Sequence, residues 1–204
     1  MKRSKQDAAQ TRDALLEAAL AVFGSKGYAA STLEDIAKAA KVTRGALYHH
    51  FAGKAELYHT LVTQAASQPG QVVQTAIAEG GSFLEIVRKV FVRQIVLLET
   101  DPQYRATAEL VMFKLEPHAE LEQAAELLSS GRRATLELLT GAFEQGIEHG
   151  LVRSDLGSTE LARTFMALQI GLFHVWSTHP HAFDLEQSAQ AVAEVLIAGI
   201  QARV

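Results

Sequence analysis

The 204-residue chain contains no cysteine. That excludes disulfides, thiol nucleophiles and thiolate metal sites, and it is compatible with a reducing compartment. Proline is scarce: there are four, mostly placed where helices would begin. No hydrophobic run is long enough to cross a bilayer unaided, because the most apolar stretch, 161–176, is interrupted by Arg163, Thr164, Gln169 and His174. The first thirteen residues are basic and then polar, with no apolar segment behind them, so they do not read as a signal peptide. Also missing are a Gly-x-Ser-x-Gly nucleophile elbow, a phosphate-cradling glycine loop and a pair of histidines four apart with a glutamate between. On these grounds no catalytic residue, cofactor or metal is expected, and the chain reads as a cytoplasmic protein that is not an enzyme and does not enter a membrane.

What is present is hydrophobic residues, 48% of the chain, enough to bury a sizeable core in one or two domains. They recur with a 3.6-residue period and no convincing strand intervenes, which predicts an all-α protein of about nine helices. The net charge of -4 divides unevenly. Residues 1–60 carry nine Lys/Arg against six Asp/Glu, and the remainder ten against seventeen. A positive N-terminal quarter on an acidic chain marks where a polyanion would dock. Lys2, Arg3 and Lys5 fit either a mobile arm for a groove or phosphates, or a solvated tail.

The chain is organised around residues 31–57, STLEDIAKAAKVTRGALYHHFAGKAEL. Thr32 and Asp35 form a capping box for one helix, whose small apolar face is Ile36, Ala37 and Ala40. Lys41 and Val42 make a turn, and Thr43 caps a second helix ending near His50. Leu47 and Phe51 would point inward. Arg44 with Tyr48, and Gly45 with His49, would point outward as i, i+4 pairs. An outward face of Thr, Arg, Gly, Tyr and His packs poorly but suits a major groove, where arginine is bidentate to guanine and hydroxyls reach phosphates. Lys54, at the start of the next long helix, would join the free amides there to hold a phosphate.

The run Thr43-Arg44-Gly45-Ala46-Leu47-Tyr48-His49-His50-Phe51, with Lys54 three residues later, resembles the signature of the TetR family of bacterial transcriptional repressors. The similarity covers residues 12–62. It implies a helix-turn-helix DNA-binding domain at 1–53, and a helical ligand-binding and dimerisation domain at 54–204. The implied DNA-binding residues are Thr32, Thr43, Arg44, Gly45, Tyr48, His49, His50 and Lys54, and the implied partner is double-stranded operator DNA.

The remaining helices follow from their caps. Helix 1 runs over 7–26, and Gly27 ends it. Helix 4 starts near Lys54 and is expected to break or kink at Pro69-Gly70. Ser82 caps helix 5, Pro102 opens helix 6, and Pro117 opens a long helix 7 with a soft spot at Ser129-Ser130-Gly131. Helix 8 covers about 158–178, with one stripe of Leu161, Phe165, Leu168 and Leu172 and another of Met166, Ile170 and His174. Asp184 and Gln187 cap helix 9. The apolar excess on the last two helices predicts a homodimer through a four-helix bundle. Gly171-Leu172, Trp176, Pro180 and Phe183-Asp184-Leu185 resemble the AcrR-like branch of the same family, which implies repression of multidrug-efflux genes.

A small hydrophobic or aromatic effector is the second partner implied. Its candidate lining is Phe91 and Ile95 on helix 5, Ala108, Glu109 and Met112 on helix 6, Leu139 and Phe143 on helix 7, and Met166, Ile170 and His174 on helix 8. Each of these would also serve as plain core. Two rivals stand beside the ligand-responsive repressor. One is an architectural or adaptor protein that binds DNA without a ligand. The other is a helical metal-binding enzyme using His174, His179 and His181, with His118 approaching from helix 7.

Overall fold

The computed structural model describes residues 5–113, 118–179 and 182–202, apart from the side chains of Lys5 and Ser67. Lys2, Arg3, Pro117, Pro180 and His181 therefore lie outside the described residues. Those described form nine α-helices: α1 (Lys5–Lys26), α2 (Leu33–Ala39), α3 (Arg44–His50), α4 (Lys54–Ala78), α5 (Phe83–Thr100), α6 (Pro102–Phe113), α7 (Glu122–Glu148), α8 (Ser158–Thr178) and α9 (Leu185–Ile200). A 3-10 turn at Ala119–Leu121 leads into α7. Among the described residues the sole strand-like feature is an isolated antiparallel bridge between Val152 and Gln201.

Most helix starts are set by the expected caps. Thr32 accepts from the Asp35 amide while the Asp35 carboxylate accepts from the Thr32 amide, and Ser82 with Glu85 repeats the arrangement at α5. Thr43 and Asp184 cap α3 and α9. Each such contact supplies an acceptor to one of the amides that a helix start leaves unpaired, and is worth about 1 kcal/mol.

Two expectations are corrected, the break in α4 and the start of α7. α4 does not break at Pro69 but runs through it. A proline removes a single backbone donor, and the Pro69 carbonyl takes a donor from the Gln94 side chain at 3.3 Å. α7 contains Ser129-Ser130-Gly131, as expected of a soft spot inside it. Its start is set by His118, whose side chain accepts from the Glu120 amide ahead of the 3-10 turn.

The chain forms two compact units. The first joins Met1–Ala66 to Pro102–Leu128, and the second joins Ser67–Asp101 to Ser129–Val204. α4 and α7 thus belong to both. In the first unit Leu15, Leu16, Ala19 and Phe23 of α1 pack with Ile36, Leu47, Phe51, Leu57 and Leu61, and with Leu110, Leu121 and Ala124 from the later segment. In the second, α5 packs against α8 and α9. Its aromatic core is Phe91 edge-on to Phe165 at 5.3 Å and Phe165 against Phe143 at 6.5 Å. Ala189 and Ala193 are fully buried on α9, and such small side chains allow close helix approach.

α7 ends where Gly150 takes φ +67, so that the Leu151 and Val152 amides turn back to the Gly146 carbonyl at 2.9 and 3.1 Å. Val152 then lies on Gly146 from one side and Phe83 from the other: a Cβ on Gly146 would sit 2.8 Å from Val152 Cγ2 and 2.9 Å from the Phe83 ring. Gly146→Ala should therefore destabilise the protein by roughly 1–3 kcal/mol through overpacking, measured as a lowered urea midpoint with an unchanged slope.

Candidate nucleic-acid interface

α3 is only seven residues long, below the length at which an isolated helix is stable. It is held by its cap and by two apolar anchors, Leu47 and Phe51, both buried, and the Arg12 guanidinium lies 5.0 Å over the Phe51 ring. The turn from α2 places Lys41 at φ 56, a left-handed conformation that costs a non-glycine residue roughly 1 kcal/mol. These constraints leave Thr43, Arg44, Gly45, Tyr48 and His49 exposed, with His50 half-buried. The expected outward face is the one observed.

That face is ordered in advance. Arg44 Nη2 donates to the Tyr48 hydroxyl at 3.2 Å, and the guanidinium carbon lies 5.5 Å over the Tyr48 ring. The hydrogen bond to Tyr48 raises the Arg44 pKa further, so its charge is constant at any working pH. His49 and His50 meet edge to face at 5.4 Å. Thr32 and Thr43 are exposed too, but their hydroxyls are engaged as caps. The expectation for Lys54 is narrowed more severely. Its ammonium donates to the carbonyls of Tyr28 at 2.8 Å and Ser31 at 3.1 Å, and sits 4.2 Å from the centre of the Tyr28 ring. Two of its three donors are thus spent inside the unit. The Ala52 amide ahead of α4 is likewise taken by the Glu56 carboxylate at 2.6 Å. Lys54 is first a buttress under the α1–α2 loop.

That loop closes on an aromatic cluster. Tyr28 packs against Phe23 and Tyr58 at 5.5 Å each, the latter edge-on. The Tyr58 hydroxyl is buried and has no hydrogen-bond partner among the described residues, and burial pushes its pKa up to about 12.

The candidate effector residues divide between the units. Ala108, Glu109 and Met112 lie on α6 in the first, where Ala108 is buried, Glu109 half-buried and Met112 exposed. The second unit brings together Phe91, Ile95 and Phe143 as buried neighbours of α5 and α7, with Leu139 and Met166 half-buried. Ile170 and His174 are exposed, which corrects their inward placement. α8 turns Leu161, Phe165, Gln169, Phe173 and Trp176 toward its neighbours instead. The reason is a polar contact that the apolar pattern hid: Gln169 Nε2 donates to Gln94 Oε1 at 2.8 Å and to the Phe91 carbonyl at 3.4 Å. Gln94 and Gln169 were not among the expected residues; the signal was Gln169 four residues after Phe165, in register with the buried stripe. Among the described residues no three His, Asp or Glu side chains converge as a metal site.

Comparison with known proteins matches residues 15–61 to the bacterial regulatory proteins of the tetR family, and residues 82–201 to the C-terminal region of MAATS-type transcriptional repressors. The transcriptional repressor BepR of Brucella suis is 28% identical over 203 residues, covering 99% of this chain and 97% of its own. Among solved structures, NalD, the secondary repressor of the MexAB-OprM multidrug efflux pump in Pseudomonas aeruginosa, superposes with a TM-score of 0.82 at 29% identity, over 97% of this chain and 98% of that one. The SmeT–triclosan complex, whose protein represses the Stenotrophomonas maltophilia pump SmeDEF, gives 0.77 at 26% identity over 94% and 92%.

The orphan hydroxyl of Tyr58 generates a prediction. Burial disfavours the Tyr58 phenolate, so the folded state loses stability as pH climbs from about 10 through about 12. Tyr58→Phe should raise stability by about 1 kcal/mol at neutral pH, because an unpaired polar group leaves the core. It should also reduce the alkaline loss, leaving the part due to Tyr28, whose pKa is raised as well. Thermal melts at pH 7 and pH 11 measure both effects.

Proposed function

Because the chain belongs to the TetR family of DNA-binding transcriptional repressors, we propose that it works as a homodimer whose α3 helices read an operator until a small hydrophobic or aromatic effector releases it. The observation that carries the DNA-contact part is the exposed Arg44–Tyr48 pair on a short helix whose other side is fully committed to the core. Arg44, preset by Tyr48, reads a guanine edge. Thr43, Tyr48 and His49 reach phosphates, and Gly45 lets the helix backbone come close. Lys54 acts mainly by holding the α1–α2 loop, with one donor left for a phosphate. Functionally the chain divides at residue 53, with reading assigned to 1–53, and effector binding and dimerisation to 54–204. We read it as a regulator without catalysis that acts in the cytoplasm, where operator DNA is.

The dimer reading rests on α8 and α9. A single chain leaves Val175 55% exposed and Val195 71% exposed, on helices whose other faces carry buried residues. Exposed apolar residues on two neighbouring helices favour an isologous four-helix contact. Two such subunits would set their α3 helices about 34–36 Å apart, one turn of DNA. The effector reading rests on the buried Phe91–Phe165–Phe143 cluster with the part-buried Gln94–Gln169 amide pair beside it, an apolar region with few polar groups. It is supported by the triclosan complex of SmeT and by the efflux-pump repressors among the similar proteins. The regulated genes are accordingly read as an efflux operon for drugs or toxic compounds.

Selection of randomised duplexes with the purified full chain should yield a near-palindromic sequence bound with strong salt dependence. Arg44→Ala should then cost about 1–3 kcal/mol and relax preference at one base per half-site. Unchanged affinity and preference would remove α3 from the interface. Triclosan should raise the melting temperature and weaken binding to the selected duplex; a stable complex unaffected by triclosan and by other hydrophobic phenols would favour the ligand-free adaptor.

A further inference from the structure

Tyr28 is a junction of three segments that are far apart in the chain. Its carbonyl accepts from the Lys54 ammonium and from the Ser31 hydroxyl at 2.7 Å. The Lys54 ammonium rests on its ring face. Its hydroxyl donates at 2.7 Å to the carboxylate of Glu120, ninety-two residues further on. Glu120 lies in the 3-10 turn that opens α7, and a second residue of that segment, His118, meets the Tyr28 ring edge-on at 5.1 Å. The His118 ring also accepts from the Glu120 backbone amide at 3.3 Å, so the segment meets Tyr28 with two side chains, one of which is fixed to the other's backbone.

We propose that Glu120 is a positioning residue for DNA binding, acting through Tyr28 and Lys54 on the start of α2 without touching DNA. A phenol that donates to a carboxylate becomes more electron-rich. Its ring face then attracts the Lys54 ammonium more strongly, since polarised hydrogen bonds and cation–ring attraction reinforce one another at low local dielectric. The ammonium in turn fixes the Ser31 carbonyl, and the next residue, Thr32, is the cap of α2. α2 carries the turn that sets α3. A surface carboxylate kept only for stability would be placed to pair with a cation. Glu120 instead takes a neutral hydroxyl whose ring bears the cation on its face. The inference rests on the reading of α3 as the DNA-contacting helix.

The test uses the full chain and the duplex it selects, with active protein titrated before each binding series. Glu120→Ala and Tyr28→Phe should each weaken binding by about tenfold, and the double variant should be no weaker than the weaker single one. Glu120→Gln, which keeps an acceptor, should remain within about threefold of the parent. The slope of affinity against salt should not change, because no phosphate contact is lost. In the absence of DNA, the Asp35 and Ile36 amides should exchange faster in Glu120→Ala and Tyr28→Phe. Parental affinity with parental exchange in Glu120→Ala overturns the proposal, as do additive losses in the double variant or losses that vanish once active protein is titrated. If the parent selects no duplex, it is the reading of α3 that fails, and the exchange of Asp35 and Ile36 still decides the placement of Glu120.

Discussion

The ammonium of Lys54, caught between two backbone carbonyls and the face of Tyr28, anchors the residue that precedes the cap of α2. The loop after α1 presents the carbonyls of Tyr28 and Ser31 to the same ammonium, and that of Tyr28 also accepts from the Ser31 hydroxyl. A charged hydrogen bond contributes about 1.5–3 kcal/mol, and here there are two, partly shielded from water. The exposed ion pair of Lys26 with Asp35 links the same elements at 2.8 Å, but such pairs contribute at most about 1 kcal/mol. The clamp therefore outweighs the ion pair, and α4 supplies it from its first residue. A helix that would otherwise only follow the recognition elements holds them in place.

The same interleaving governs the chain on a larger scale. The compact unit that contains α2 and α3 also takes in α6 and the opening of α7, which contribute Leu110, Leu121 and Ala124 to its core. α4 and α7 are each continuous helices that start in this unit and end in the other.

What could be read from the sequence was what acts at short range. The boxes at Thr32/Asp35 and Ser82/Glu85 and the caps at Thr43 and Asp184 lie within three residues of their partners, so spacing alone reveals them. The outward face of α3 was legible because Leu47 and Phe51 leave only one way to orient a two-turn helix. Long-range partners were not legible. Spacing shows a cation at the N-terminus of α4, but not that carbonyls twenty-three and twenty-six residues earlier claim it. On α8, hydropathy favoured Ile170 over Gln169 for the interior, yet a half-buried amide is tolerated when another amide meets it, and Gln94 does so from seventy-five residues away. Hydropathy ranks residues singly, whereas burial is decided in pairs.

This division between frame and face bears on how a repressor of this kind acquires its operator. Among the described residues, the buried contacts of α3 are made by Leu47 and Phe51, while Arg44, Tyr48 and His49 are exposed. Exchanging the outward residues should therefore cost little stability. Arg44 and Tyr48 are paired with each other on that exposed face. Lys41 is the exception. It occupies a left-handed turn position where glycine would carry no steric penalty, and its side chain is exposed.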